Sequence, residues 1–200
     1  MTYGPAKHRR RSIRLREYDY AQAGAYFVTI CTQHRECLFG EVVDGQARLS
    51  MPGEVVAAEW LRSARIRGEI ELDAFVVMPN HVHGIVVIRD VGAHGRAPLP
   101  SPPHRPPRSL GSFVAGFKSA ATKRINAIRG TPGLPGWQRN YYEHVIRDED
   151  DLDRVRRYIA ENPLRWDEDP ENQAVARPVG DHGVQGDHRG SPLRRNGGRL

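Results

Sequence analysis

Residues 69–88 read EIELDAFVVMPNHVHGIVVI, and the fold turns on how this stretch is read. Two apolar runs, Glu69–Met78 and His81–Ile88, flank the dipeptide Pro79-Asn80. Runs of this length rich in Val and Ile read as strands, and the Pro-Asn pair punctuates them. Residues two apart on a strand point to the same face. His81 and His83 therefore stand side by side, about 7 Å apart along the backbone at roughly 3.3 Å per residue.

Outward from this pair the pattern alternates strands and helices. Tyr26–Thr32 is a β-branched and aromatic run that reads as a buried strand. Leu38–Leu49 reads as a hairpin around Asp44-Gly45, a strong two-residue turn signal. Pro52–Ile66 carries Val55, Val56, Glu59, Trp60 and Ala64 at helical spacing, with proline at the permitted first turn. Leu110–Ile128 lines Leu110, Phe113, Val114, Phe117, Ala121 and Ile125 along one helical face. Tyr142–Ile146 reads as a last strand and Glu149–Glu161 as a last helix, stopped by Pro163. The order is that of a ferredoxin-like βαββαβ unit, an α+β antiparallel sheet, with a helix appended. Both main helices then lie on one face, and the opposite face needs another cover or is a working surface.

The chain has 200 residues and 22.5 kDa, room for one domain with flexible ends. Residues 17–170 form the expected domain, interrupted by a Pro-rich insert at 92–108; residues 171–200 read as a disordered tail. The net charge of +6 is not spread evenly. Residues 1–16 hold six basic residues and no acid, so they form a basic arm. Residues 17–170 hold 19 basic and 21 acidic residues, a balance of −2. Charge alone thus does not assign nucleic acid to the folded body. No apolar run approaches the roughly 20 residues of a membrane span, and no apolar stretch follows the basic N-terminus as in a secretory signal. Cys31 and Cys37 fit no disulfide framework, redox motif or zinc motif. A soluble cytoplasmic protein is expected.

Two imidazoles on one strand face can converge on a cation, or each can be held by a local hydrogen bond. The spacing leaves both open. On the last helix Leu152, Val155 and Ile159 form the buried stripe, and Tyr158 and Asn162, four apart, share one flank. That presents a hydroxyl and an amide oxygen one turn apart at the rim of the core. Equally, Tyr158 can be a half-buried aromatic and Asn162 a helix end before proline.

In combination these motifs resemble the single-tyrosine transposases of the His-hydrophobe-His endonuclease superfamily, especially the REP-associated tyrosine transposases. The resemblance runs from about Arg11 to Trp166. It rests on Tyr26-Phe27-Val28-Thr29, on Phe75 through His83, on Leu110-Gly111 with Phe117-Lys118-Ser119, on Trp137-Gln138, on Glu143 through Asp148, and on Tyr158-Ile159-Ala160-Glu161-Asn162-Pro163. It implies that His81 and His83 bind a divalent metal, Mg2+ or Mn2+, with Asn162 as third ligand. It also implies that Tyr158 is the nucleophile, giving a 5′-phosphotyrosine and a free 3′-hydroxyl. Related insertion-sequence enzymes carry Gln where Asn162 stands. Single-stranded or hairpin DNA, such as repetitive extragenic palindromes, is the implied partner, with the protein a monomer or homodimer.

Other residues are weaker candidates. Tyr141 and Tyr142 suit core packing or base stacking, and Tyr18, Tyr20 and Tyr26 have no amide four residues on. His144 is a further site residue or a structural histidine. Lys118, Thr122 and Arg129 form a polar stripe on the second helix that can meet phosphates, as can Arg147 and Arg157. Arg9, Arg10 and Arg11 lie in the arm, which suits a nucleic-acid backbone or serves as a solubilising tail. Two rival functions stand beside the transposase: a non-catalytic binder of structured DNA on the same fold, and a hydrolase that uses water in place of Tyr158.

Overall fold

The computed structural model describes residues 19–89 and 108–172. The basic arm with Arg9, Arg10 and Arg11, Tyr18, nearly all of the Pro-rich insert and most of the tail lie outside the described residues. Glu171 and Asn172, at the head of the stretch read as tail, are described and packed, with Asn172 buried.

The strands are β1 (Gly24–Cys31), β2 (Gly40–Val43), β3 (Gln46–Leu49), β4 (Ile70–Met78), β5 (His81–Ile88) and β6 (Tyr142–Ile146). The helices are α1 (Met51–Arg65), α2 (Leu110–Arg129) and α3 (Glu149–Glu161), followed by a 3-10 segment, Asn162–Glu168. The main sheet has order β4-β5-β1-β6 with every pairing antiparallel. This is the ferredoxin-like arrangement, with β2 and β3 as a separate hairpin inserted before α1. Its turn places Asp44 at φ 52° and Gly45 at φ 70°, the two left-handed positions that an Asp-Gly turn supplies.

Local chemistry fixes the helix ends. Ser50 caps α1, accepting from the Gly53 amide, with Pro52 in the first turn. Ser109 and Ser112 form a reciprocal capping box on α2, which ends at Gly130 in the left-handed region. Asp148 caps α3, and Glu149, Asp150 and Asp151 in its first turn complement the helix dipole.

Strand alternation gives the sheet two unlike faces. Tyr26, Val28 and Ile30 of β1 and Val82 and Val86 of β5 face α1 and α2 and join the larger core. There Trp60 meets Phe113 and Phe117 edge-on, with ring centroids 5.3 and 5.1 Å apart. Gly84 lies beneath it: a Cβ at that position would come 2.4 Å from Trp60 Cζ2. The alternate residues Phe27 and Ile85 face the other way and pack against Val155 and Ile159 of α3. The appended helix is thus the cover of the second face.

Polar side-chain pairs fasten α3 at both edges. Two β4 residues, Asp73 and Ala74, fall between the register pairs Leu72↔Val86 and Phe75↔Gly84, where β5 has only Ile85. This bulge gives Asp73 and Arg156 a two-pronged bond, with Nε donating to Oδ1 at 3.0 Å and Nη2 to Oδ2 at 2.7 Å. At the opposite edge, His144 Nε2 lies 2.8 Å from Asp151 Oδ2.

Candidate metal centre

β5 emerges from the Pro79-Asn80 turn directly into His81, which pairs in register with Cys31 of β1; His83 pairs with Thr29. Both imidazoles face α3 and are buried, at 0% and 2% exposure. Their rings lie 4.3 Å apart, and the two Nε2 atoms approach to 2.9 Å.

The flanking hydrogen bonds constrain the protons. Asn80 Nδ2 donates to the carbonyls of Arg35, at 3.2 Å, and Glu171, at 2.6 Å. Its Oδ1 is then the acceptor for His81 Nδ1, 2.8 Å away, so His81 carries its proton on Nδ1 and presents a bare Nε2. His83 Nδ1 lies 2.9 Å from Thr29 Oγ1. With its proton on Nε2, His83 donates to His81; with the proton on Nδ1 and donated to Thr29, it places a second bare Nε2 beside the first. Burial, with the positive charge of Arg35, pushes His81 down to about 3. Burial and the neighbouring His81 also hold His83 well below the ordinary histidine value. Both imidazoles are neutral at physiological pH, the form that binds metals.

The segment after α3 closes the site. Asp169 is buried, with Oδ2 4.0 Å from His81 Nε2, and ligand atoms of His81, His83 and Asp169 lie within 4.8 Å of one another. Asn162 is also buried and donates through Nδ2 to Asp169 Oδ2 at 2.9 Å. Its Oδ1 is buried and has no hydrogen-bond partner. A buried amide oxygen without a donor is costly, and a cation beside it removes that cost. Two ligands about 2.1 Å from one ion at right angles stand about 3 Å apart, which is the spacing of the two Nε2 atoms. The residues present therefore fit a divalent ion.

Tyr158 completes the cluster from α3. Its Oη lies 3.3 Å from His83 Nε2, and its ring packs edge-on against Phe27 and His83, with centroids 5.8 and 5.1 Å away. Burial, reinforced by the charges of Asp169 and Glu171 and opposed by Asn162, raises the phenol well above the ordinary tyrosine range. The cluster thus brings together the four residues named from sequence and adds Asp169. Neither Asp169 nor the Arg35 and Glu171 pair beside it, 2.9 Å apart, stood out in the sequence. Asp169 has only its place in the acidic run Asp167-Glu168-Asp169 after a proline-stopped helix.

The remaining candidates scatter. Tyr26 is buried and donates to the Gln22 carbonyl at 2.8 Å; Tyr20 is buried beside it. Tyr141 packs on the α1/α2 core, while Tyr142 packs on the α3 face against Phe27. His144 shares that face but is taken up by Asp151. Lys118 donates to the carbonyls of Gln138, at 2.9 Å, and Asn140, at 3.1 Å, and lies over the Tyr141 ring, so it holds the loop leading to β6. Arg129 pairs with Glu36 at 3.6 Å. The side chains of Arg147 and Arg157 are exposed. Cys31 and Cys37 are free thiols. Cys31 donates to Glu171 at 3.3 Å, and burial pushes its thiol far up. Among the described residues no helix is long and apolar enough to cross a membrane.

An uncharacterized protein of Haemophilus influenzae is 38% identical over 173 residues, covering 84% of this chain and 95% of that protein. A solved structure of a REP-associated tyrosine transposase bound to a REP hairpin is 19% identical; the match covers 91% of this chain and 99% of that one, with a TM-score of 0.55. No family model matches the sequence.

Proposed function

The chain belongs to one family with the Haemophilus influenzae protein and has the fold of the REP-associated tyrosine transposase, and on that premise we propose that it is a metal-dependent DNA transposase and endonuclease. It cleaves and rejoins single-stranded or hairpin DNA through a 5′-phosphotyrosine. The observation that carries this reading is the meeting, within one chain, of Tyr158 Oη with the His81–His83 pair, 3.3 Å from His83 Nε2.

His81 and His83 supply two neutral nitrogens, Asn162 an amide oxygen, and Asp169 a carboxylate that is either a further ligand or the group that orients Asn162. This mixture of nitrogen and hard oxygen donors suits Mn2+ or Mg2+. The ion, when bound, polarises the scissile phosphate and neutralises developing charge. Asn80 and Thr29 orient the two imidazoles. Phe27 and α3 hold the phenol against them.

In the reaction Tyr158 Oη forms a bond to phosphorus while the bond from phosphorus to the 3′-oxygen breaks. The phenol loses a proton and the departing 3′-oxygen gains one, so no net proton is consumed. The phosphodiester energy is kept in the tyrosyl link, and a 3′-hydroxyl can reverse the step and join strands without ATP. A hairpin of the repetitive extragenic palindrome type is the substrate class that the structural neighbour suggests.

The test is a labelled hairpin-bearing single strand incubated with Mn2+ or Mg2+ and run on a denaturing gel. The expected result is cleavage with a protein-linked product, abolished by Tyr158→Phe and by chelator. Metal-dependent cleavage that survives Tyr158→Phe overturns the nucleophile and favours a water-using hydrolase. Tight binding without cleavage across metals and substrates favours the non-catalytic binder.

A further inference from the structure

A groove of about 860 Å³ lies between the C-terminal half of α2 and the loop 130–139, toward the upper end of the roughly 300–1,000 Å³ range of ligand sites. Its walls are tied together. Asn126 Nδ2 donates to the Leu134 carbonyl at 2.8 Å, Lys118 ties down the carbonyls of Gln138 and Asn140, and a Cβ on Gly136 would stand 3.2 Å from Thr122 Oγ1. Much of its lining is apolar, from Pro132, Leu134, Pro135 and Trp137, with Leu134 53% exposed. Lys123 and Arg139 also line it and are exposed; no acidic residue does.

The charge of the groove is opposite in sign to the net balance of the folded body. Residues 17–170 carry a balance of −2, yet this concavity is purely basic. A basic, apolar-lined groove fits an anion that also offers flat apolar surface, and it repels the Arg-rich arm of residues 1–16. Single-stranded nucleic acid has that chemistry, with phosphates for the cations and bases for the apolar wall.

The loop that lines the groove also meets the end of the sheet that carries the histidines. Trp137 bridges to Thr32, and the Gln138 amide donates to the Cys31 carbonyl at 3.0 Å. Cys31 is the register partner of His81. The groove therefore adjoins the strand end of β1 and β5 whose other face carries the histidines.

We propose that this groove binds a single-stranded stretch of the DNA substrate adjoining the scissile phosphate, with phosphates on Lys123 and Arg139 and a base against Leu134. This rests on the reading of the protein as a DNA-cleaving enzyme and adds a second contact surface to it. Lys118, which sequence alone offers to phosphate, instead holds the wall.

The experiment uses the full chain carrying Tyr158→Phe, which prevents turnover, and measures binding of two labelled DNAs by anisotropy over a salt series. One is a bare hairpin; the other is the same hairpin with single-stranded tails on both ends. The double substitution Lys123→Gln/Arg139→Gln is expected to weaken binding of the tailed DNA about tenfold or more. It should also flatten its log–log salt slope by about 1.4, at about 0.7 per single-strand phosphate contact. The bare hairpin should bind as before, which also reports that the variant is folded. Leu134→Ala should weaken the tailed DNA without changing the slope, since its contact is uncharged. Unchanged binding of the tailed DNA by the double variant overturns the proposal, as does an equal fall for both DNAs. Failure of the parent protein to bind either DNA overturns the DNA-cleaving reading and this proposal with it.

Discussion

The two faces of the central sheet are built from the same strands by opposite means. On the α1/α2 face the contacts are large aromatic and aliphatic side chains, Trp60, Phe113, Phe117, Val56 and Val86, all buried. On the α3 face a small apolar patch of Phe27, Ile85, Val155 and Ile159 borders a cluster of buried polar groups. There α3 is steered by an ion pair at one edge and a histidine–carboxylate hydrogen bond at the other. The first face is where burial of apolar area stabilises the fold. The second spends stability on neutral histidines, an orphan amide oxygen and a buried carboxylate. Burdens of that kind gather where chemistry requires them, although the α1/α2 face also buries the Trp60 and Trp137 indole nitrogens without a partner and Glu59 paired with Arg124. One face holds the strands in place so that the other can hold atoms in place.

This division can be broken by experiment. Trp60→Ala should cost about 3–5 kcal/mol of stability, read by urea denaturation, whereas Tyr158→Phe should leave stability nearly unchanged while removing cleavage. Comparable loss of stability in both would erase the distinction. A second test is acid. The unfolded chain takes a proton on each imidazole near pH 6.5, but folded His81 does so only at about 3 and His83 well below its ordinary value. The unfolded state binds more protons in that window, so the metal-free protein loses stability as pH falls from about 6.5 toward 3. The slope approaches 1.4 kcal/mol per pH unit for each imidazole. A urea midpoint that stays flat between pH 6.5 and 4 would contradict the burial of the pair.

The smallest effect concerns the clamp. Hydrogen bonding from Arg156 holds the Asp73 carboxyl below its ordinary range, and Arg156 lies two residues before Tyr158. Misplacing a reacting group by about 1 Å can cost on the order of 100-fold in rate. Asp73→Asn should therefore slow cleavage on the order of tenfold without weakening hairpin binding, and the swap Asp73→Arg/Arg156→Asp should recover part of it. An equal loss of binding and cleavage would show that the pair serves the fold alone.

The sheet was legible because alternation and turn chemistry are local. His81 and His83 share a face by strand geometry, Asp44-Gly45 dictates its hairpin, and Tyr158 and Asn162 follow from helical spacing. The additions to the site are the groups that only tertiary closure brings in. Asp169 and Glu171 follow Pro163 in a stretch without period, so no pattern ties them to the start of a strand about 90 residues earlier. The β4 bulge was hidden for a related reason. Leu72-Asp73-Ala74-Phe75 reads as continuous strand, and the two-against-one register appears only against β5. Lys118 shows the limit of charge reading, since a lysine on a helix flank looks the same whether it meets a phosphate or a carbonyl of its own chain.

Gly84 carries a consequence for how this sequence can diverge. The space its missing side chain leaves is filled by the Trp60 indole, and it immediately follows His83. Any larger residue at 84 must displace either the indole or the strand that aims the histidine. The two positions are therefore expected to drift only as a pair, a bulky residue at 84 accompanied by a smaller one at 60. Descendants that change one alone should be rare among copies that keep the His81–His83 pair and common among those that have lost it.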